Sequence, residues 1–234
     1  METVVYEASV PYDPDLPVTR RDRKRQEMYN RIYRSAIELL SLREFDSVTV
    51  EEITEAADVG KGTFFRHFAS KEAVIAAYFE ETRDLLVHAL EDPEPELQDR
   101  ISPEAYGHGI HPGPIWKRFV GTTYLAASRD GRSHRLIRTL LALSAANDTV
   151  RAASLSAKAQ LVQTITAYMK EGQRTGEFRA DFAPEALASF TRNLYYGTQL
   201  AWAQTDDDSR FENHIASSIA LAWFAVRKSG EEVS

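Results

Sequence analysis

Apolar side chains recur at every third or fourth position through most of the chain, the period of a helix with one buried stripe. Met28, Ile32, Ala36 and Leu39/Leu40 set out this pattern first and predict a helix from about Thr19 to Leu42. A second helix starts at Thr49, where Glu52 three residues on completes a capping box. It ends near Ala57 after Ile53 and Ala56. A short third helix covers about Lys61 to Phe68, and a fourth runs from Ser70 to about Leu90. Later helices are predicted at about Ile115–Ser128, Ser133–Ala145, Thr149–Thr175, Pro184–Gln204 and Ser209–Lys228. Pro184 suits a helix start, because its missing N–H would be an orphan there anyway. No segment reads as a strand. The fold class is all-α, with about nine helices.

Proline and glycine punctuate this pattern in two places. Glu91 to Pro114 holds five prolines and three glycines and cannot continue a helix, and Gly172 to Pro184 makes a smaller break. The division expected is an acidic, unordered tail at 1–17, a small helical domain at 18–70 and a larger helix bundle at 71–230.

Composition excludes several classes of function. The chain has 234 residues, no cysteine and 10% aromatic side chains. That rules out disulfides, thiol catalysis and thiolate metal sites, and argues for a packed core. No apolar run reaches the ~20 residues needed to span a bilayer; the longest, Ile215 to Val226, is 12 residues with two serines. The acidic, proline-spaced N-terminus is unlike a signal peptide, so the expected location is the cytoplasm. His108 and His111 lack a third ligand for a metal, and Asp206-Asp207-Asp208 reads as a turn capping the last helix. With no phosphate loop and no nucleophile signature, neither catalysis nor a cofactor is expected.

Charge is segregated. The net charge is −7, yet Thr19 to Arg34 carries seven bases against two acids. Such a stretch is either one face made for polyanions or a solvated helix surface. The helices at 49–68 favour the former, because a short helix, a four-residue turn and a second short helix is helix-turn-helix spacing. The turn, Ala57-Asp58-Val59-Gly60, needs a residue that tolerates left-handed dihedrals, and Asp58 does so better than most. Phe64 and Phe68 lie four apart on the buried face, which turns Lys61, Gly62, Thr63, Arg66 and His67 outward.

On these residues the run from Arg20 to Tyr78 resembles the DNA-binding domain of TetR-type (tetracycline-repressor-like) transcriptional regulators. The match lies in Phe-x-x-x-Thr-Val at 45–50, Ile-x-x-Ala-Ala at 53–57, Lys-Gly-Thr-Phe-Phe-Arg-His-Phe at 61–68 and Ser-Lys-Glu-Ala at 70–73. Glu171 to Ala188 is also similar to that family's junction between a long helix and a dimer-forming pair. The resemblance implies a phosphate contact from Thr49 and major-groove contacts from Lys61, Gly62 and Thr63. Phe65, Arg66 and His67 would face DNA or its backbone, and Lys71 would add a phosphate contact. Whether Arg20 to Arg25 touch DNA stays open. Three positions depart from the family pattern: Asp58 replaces a glycine, Gly60 a serine cap, and Phe65 a tyrosine whose hydroxyl is thereby lost.

The remaining helices have two expected roles. Ile219 to Val226 is apolar nearly all round, so the last helix is expected at a dimer interface formed by Ile215, Ile219, Ala222, Trp223 and Val226. A small-molecule pocket is expected from Trp116, Thr123, Tyr124, Tyr168, Asn193 and Tyr196, with Tyr195, Gln199, Trp202 and His134 adding polar tips. The partners implied are double-stranded operator DNA, a second copy of the chain and a partly aromatic or apolar effector, with no membrane. The function read is a ligand-responsive regulator, a repressor on a palindromic operator. The alternative is a helical ligand-binding or adaptor protein whose DNA-binding module is weakened. Retention on heparin or operator DNA with steep salt dependence separates the two.

Overall fold

A computed structural model describes residues 19–91, 113–130, 133–205 and 211–228, without the side chains of 128–130, 212 and 213. The tail at 1–17, most of the Pro/Gly-rich stretch including His108 and His111, the Asp206–Asp208 turn and the last six residues lie outside the described residues.

Nine α-helices are described: α1 Arg20–Leu42, α2 Val50–Ala56, α3 Lys61–His67, α4 Lys71–Glu91, α5 Pro114–Asp130, α6 His134–Ala146, α7 Asp148–Thr175, α8 Pro184–Ala203 and α9 Phe211–Val226. Their ends fall within about two residues of the sequence-based expectation, the usual scatter of helix termini. No strand occurs among the described residues, which hold one isolated bridge between Phe178 and Arg227.

Local chemistry sets the helix starts. Thr19 and Thr49 each form the complete capping box, with Asp22 and Glu52 reaching back to the cap backbone. α3 begins on Gly60 without a side-chain cap. The turn before it contains the one described non-glycine residue with positive φ, Asp58 at 49°. Arg31 of α1 holds that strained residue, donating to its carbonyl at 3.2 Å and its carboxylate at 3.1 Å. The turn geometry expected from Asp58 is therefore present and tied to the first helix.

Glu52 adds an acid-sensitive element. The Arg43 guanidinium, then the Thr49 amide and hydroxyl, hold its carboxyl down at about 2 from an ordinary 4.5. A depressed carboxyl contributes stability that is complete above its unfolded pKa and is lost as pH falls through its folded one. The melting temperature of the unmodified chain should therefore fall more steeply than that of Glu52→Gln between about pH 5 and pH 2. Parallel profiles by circular dichroism would show that this cap contributes nothing.

One continuous core joins the helices. Ile32, Ala36, Leu40, Ile53, Phe64 and Phe68 bury the small N-terminal helices against Val74, Ile75 and Tyr78 of α4. α4 continues alongside α7 and α5, so one helix spans both ends of the molecule. α1 is also pinned to α6, through Ser133 Oγ donating to the Ser41 carbonyl at 2.6 Å and an Arg135–Glu44 pair at 3.3 Å.

The break at 172–184 is ordered. Gly176 closes α7 in the left-handed region at φ 78°. Phe178 then folds back so closely that a Cβ on Gly172 would stand 2.1 Å from its ring. Glu177 accepts from the Ile115 and Trp116 amides at 3.2 and 2.8 Å, capping the start of α5.

The last helix turns the five residues expected at the interface toward its own chain. Ile215, Ile219, Ala222, Trp223 and Val226 are all buried inside the single chain. They pack on the chain's own core, with Trp223 5.5 Å from the Trp116 ring. Apolar side chains all round α9 mark two faces, and these five belong to the inward one. The outward one carries Leu221 at 69% exposure and Phe224 at 46%, and on the neighbouring α8 Phe190 and Leu200 are exposed as well.

Candidate DNA interface and ligand cavity

The first candidate site is the outer side of α2 and α3. Phe64 is fully buried, and its neighbours along α3 follow from that anchor. Helical phase then exposes Lys61, Gly62, Phe65 and Arg66, with Thr63 and His67 half-buried. Nothing stands within 4 Å of where a Cβ on Gly62 would be, so this edge of the helix is open to a close-approaching surface. Phe65 is 55% exposed and lies edge-on to Phe64, an unusual place for an aromatic ring in water.

Electrostatics match a polyanion. Lys61 pairs with Glu51 across the turn, both side chains being more than half exposed. Such a pair has little net worth and can be exchanged for phosphate. Burial, then Arg25 and Arg66, hold the His67 pKa below its usual value. That coupling brings Arg25, in the basic first turns of α1, into the electrostatic neighbourhood of α3. Residues 20–25 are all exposed, on the flank of the same surface.

Two of the expected contacts are committed locally. Thr49 Oγ1 is exposed but exchanges hydrogen bonds with Glu52, at 3.0 Å to its carboxylate and 3.2 Å from its amide. Lys71 is also engaged by its own chain. Its ammonium donates to the Phe45 carbonyl at 2.7 Å and to that of Val48, and lies 4.3 Å over the Phe45 ring. It bolts the start of α4 to the loop that leads into α2, which the sequence motif could not reveal.

The second site is a cavity of about 120 Å³ enclosed by α4 to α9. That is far above the ~10–15 Å³ that a single water needs. Leu86, Leu90, Ile137, Leu140, Ile215 and Ile219 are among the residues of its apolar wall. Of the six residues expected to line it, Trp116, Thr123 and Tyr196 do so. Tyr124, Tyr168 and Asn193 do not line it. Tyr124 is packed against the core, and Asn193 is exposed and accepts from its neighbour Arg192. The Tyr168 hydroxyl accepts from Arg118, whose guanidinium lies 4.8 Å over its ring, and burial pushes its pKa up to about 12.

Tyr195 and Gln199 also line the cavity, whereas His134 and Trp202 stack on each other at 3.8 Å outside it. The sequence reading missed Tyr78, Thr82 and Arg83 of α4 and Lys158 of α7. The signal available was the polar pair Thr82-Arg83 on the apolar side of α4.

Among the described residues no group of three or more His, Asp or Glu side chains could hold a metal ion, and no helix is long and apolar enough to cross a membrane.

Residues 32–78 match the family model for bacterial regulatory proteins of the tetR family. Over 165 residues the chain is 30% identical to the HTH-type transcriptional repressor DhaR of Mycobacterium sp. strain GP1, a stretch covering 68% of this chain and 73% of that relative. Among solved structures, Salmonella enterica GusR matches with a TM-score of 0.64 at 21% identity, over 89% of this chain and 97% of its own. The Thermus thermophilus repressor FadR, in complex with lauroyl-CoA, matches with a TM-score of 0.54 at 25% identity, over 83% of this chain and 92% of its own.

Proposed function

Because the chain belongs to the TetR family of bacterial transcriptional regulators, we propose that it is a homodimeric repressor that binds a palindromic operator and releases it when a small molecule fills the cavity. The observation that carries this reading is the outer edge of α3, where Lys61, Gly62, Phe65 and Arg66 are exposed around the buried Phe64. Lys and Arg reach guanine acceptors or phosphate, and the Thr63 methyl can meet thymine. The same edge disfavours an adaptor with a lost DNA-binding module, since its cations are retained. A regulator that reads the chromosome works in the cytoplasm.

Residues 18–70 form the reading head in this proposal, and 71–230 the sensing and dimerising body. The second copy docks on the outward face of α8 and α9, through Phe190, Leu200, Leu221 and Phe224. Exposed apolar rings and leucines on one face of a helix pair are what a two-subunit four-helix interface covers. Twofold symmetry of that dimer matches twofold symmetry of the operator.

α4 supplies the coupling. Its start is bolted by Lys71 to the loop before α2, and its middle places Tyr78, Thr82 and Leu86 on the cavity wall. Tyr29 of α1 adds a second joint, where burial and Glu81 on α4 raise the pKa of the phenol. A ligand that displaces α4 therefore changes the separation of the two reading helices from the ~34–36 Å that consecutive half-sites require. It acts only through different affinities for the two arrangements.

The test is selection of bound fragments from the source genome with purified protein. The expected result is a palindrome-bearing fragment whose affinity falls steeply with salt, with a log–log slope of about −0.9 for each phosphate neutralised. Binding without sequence preference, or no retention at low salt, would overturn the reading.

A further inference from the structure

The cavity has a charged edge on α7 and α8. Lys158 and Arg192 both line it. The Lys158 ammonium stands 5.1 Å from the centroid of the Tyr196 ring, and the Arg192 guanidinium donates to the adjacent Asn193 amide oxygen at 2.8 Å. Neither cation has a carboxylate partner among the described residues. Arg83, the third cation on the wall, is matched by Asp84 at 2.7 Å. Two like charges are thus held half-buried and uncompensated on one side of an apolar chamber, while the third is neutralised. Burial, with Arg192 adding, depresses the Lys158 pKa, as expected for a cation short of counter-charge.

A second observation lies on the wall itself. Trp116 is fully buried, and its indole N–H has no acceptor. Thr82 Oγ1, also on the wall, is buried without a partner. Buried donors without acceptors are uncommon in folded proteins. Both side chains belong to the cavity wall.

We infer that the cavity takes an apolar organic acid, with its carboxylate at Lys158 and Arg192 and its hydrocarbon body among Leu86, Leu90, Leu140 and Ile219. The inference rests on the cavity being the effector site of the regulator proposed above. An anion between two unpaired cations makes charge-assisted hydrogen bonds, which a neutral ligand of the same shape cannot match. Specificity therefore lies at the charged edge, and bulk affinity at the apolar wall.

The test is calorimetric titration of the full chain with naphthoate and with decanoate, each beside its primary amide. At least one acid should bind at least tenfold more tightly than its own amide. In Lys158→Gln/Arg192→Gln the acid should weaken to the level of the amide, while amide binding stays within twofold. Binding of neither acid, an amide that equals its acid, or a double variant that keeps the preference would each overturn the carboxylate site. The acid–amide comparison on the unmodified chain needs no variant, so it stands even if the variant folds poorly. Operator binding measured on the same preparation separates the two readings. Intact operator binding without acid preference removes this inference alone, whereas absent operator binding removes the regulator.

Discussion

Lys61→Ala combined with Thr63→Ala should weaken operator binding at least tenfold while the chain still folds. Neither side chain supports the core. Lys61 is exposed and its pair with Glu51 is also exposed, so its removal costs the fold little. A lysine at a helix N-terminus opposes the dipole, and alanine is a better helix former than threonine. α3 is held instead by Phe64 and Phe68, which stay in place. A good side-chain contact to a base edge contributes about 1–3 kcal/mol, so losing one or two predicts roughly a 10- to 100-fold drop. Anisotropy at fixed salt reads the affinity, and thermal melting reads the fold. An unchanged dissociation constant with an intact fold would remove α3 as the reading helix. If Lys61 meets phosphate, the double variant should also show a shallower salt slope, by about one unit.

The second large effect separates two faces of one helix. Ile219→Asp should abolish soluble, cooperatively folded protein. Ile219 is 4% exposed, lines the cavity and sits among apolar side chains. Transferring an unpaired carboxylate there costs several kcal/mol, comparable to the whole margin of ~5–15 kcal/mol that keeps a domain folded. Leu221→Asp, two residues on, should leave the fold and its melting temperature nearly unchanged, since Leu221 is 69% exposed. It should instead convert the dimer to a monomer by light scattering, and operator affinity should fall with it. A Leu221→Asp chain that stays dimeric would move the interface off α9. An Ile219→Asp chain that folds normally would contradict the burial of that face.

Much of this was legible in the sequence. The 3.6-residue period alone lays out nine helices, because each needs one apolar stripe and the stripes are interrupted at proline and glycine. The reading motif was legible too, since its chemistry is local. Thr49 and Glu52 cap one another three residues apart, Asp58 takes the left-handed turn, and Phe64 fixes which neighbours face outward. Such features depend on residues within one or two helical turns, so sequence spacing determines them.

Tertiary structure decided whatever depends on which face of a helix meets which neighbour. α9 is apolar on both sides, and composition cannot say that Ile219 points inward and Leu221 outward. Tyr124 lies one residue from Thr123, yet the ~100° step between successive helical residues takes it off the cavity wall. Lys71 sits in a motif that suggests phosphate, but the loop carbonyls of Phe45 and Val48, more than twenty residues away in sequence, capture its ammonium. Lys158 and Arg192 lie on different helices and look like ordinary surface cations until α7 and α8 pack together. For α9, Lys71 and the Lys158–Arg192 pair the deciding partner is distant along the chain and close in space, which is why periodicity set the helices and packing set the sites.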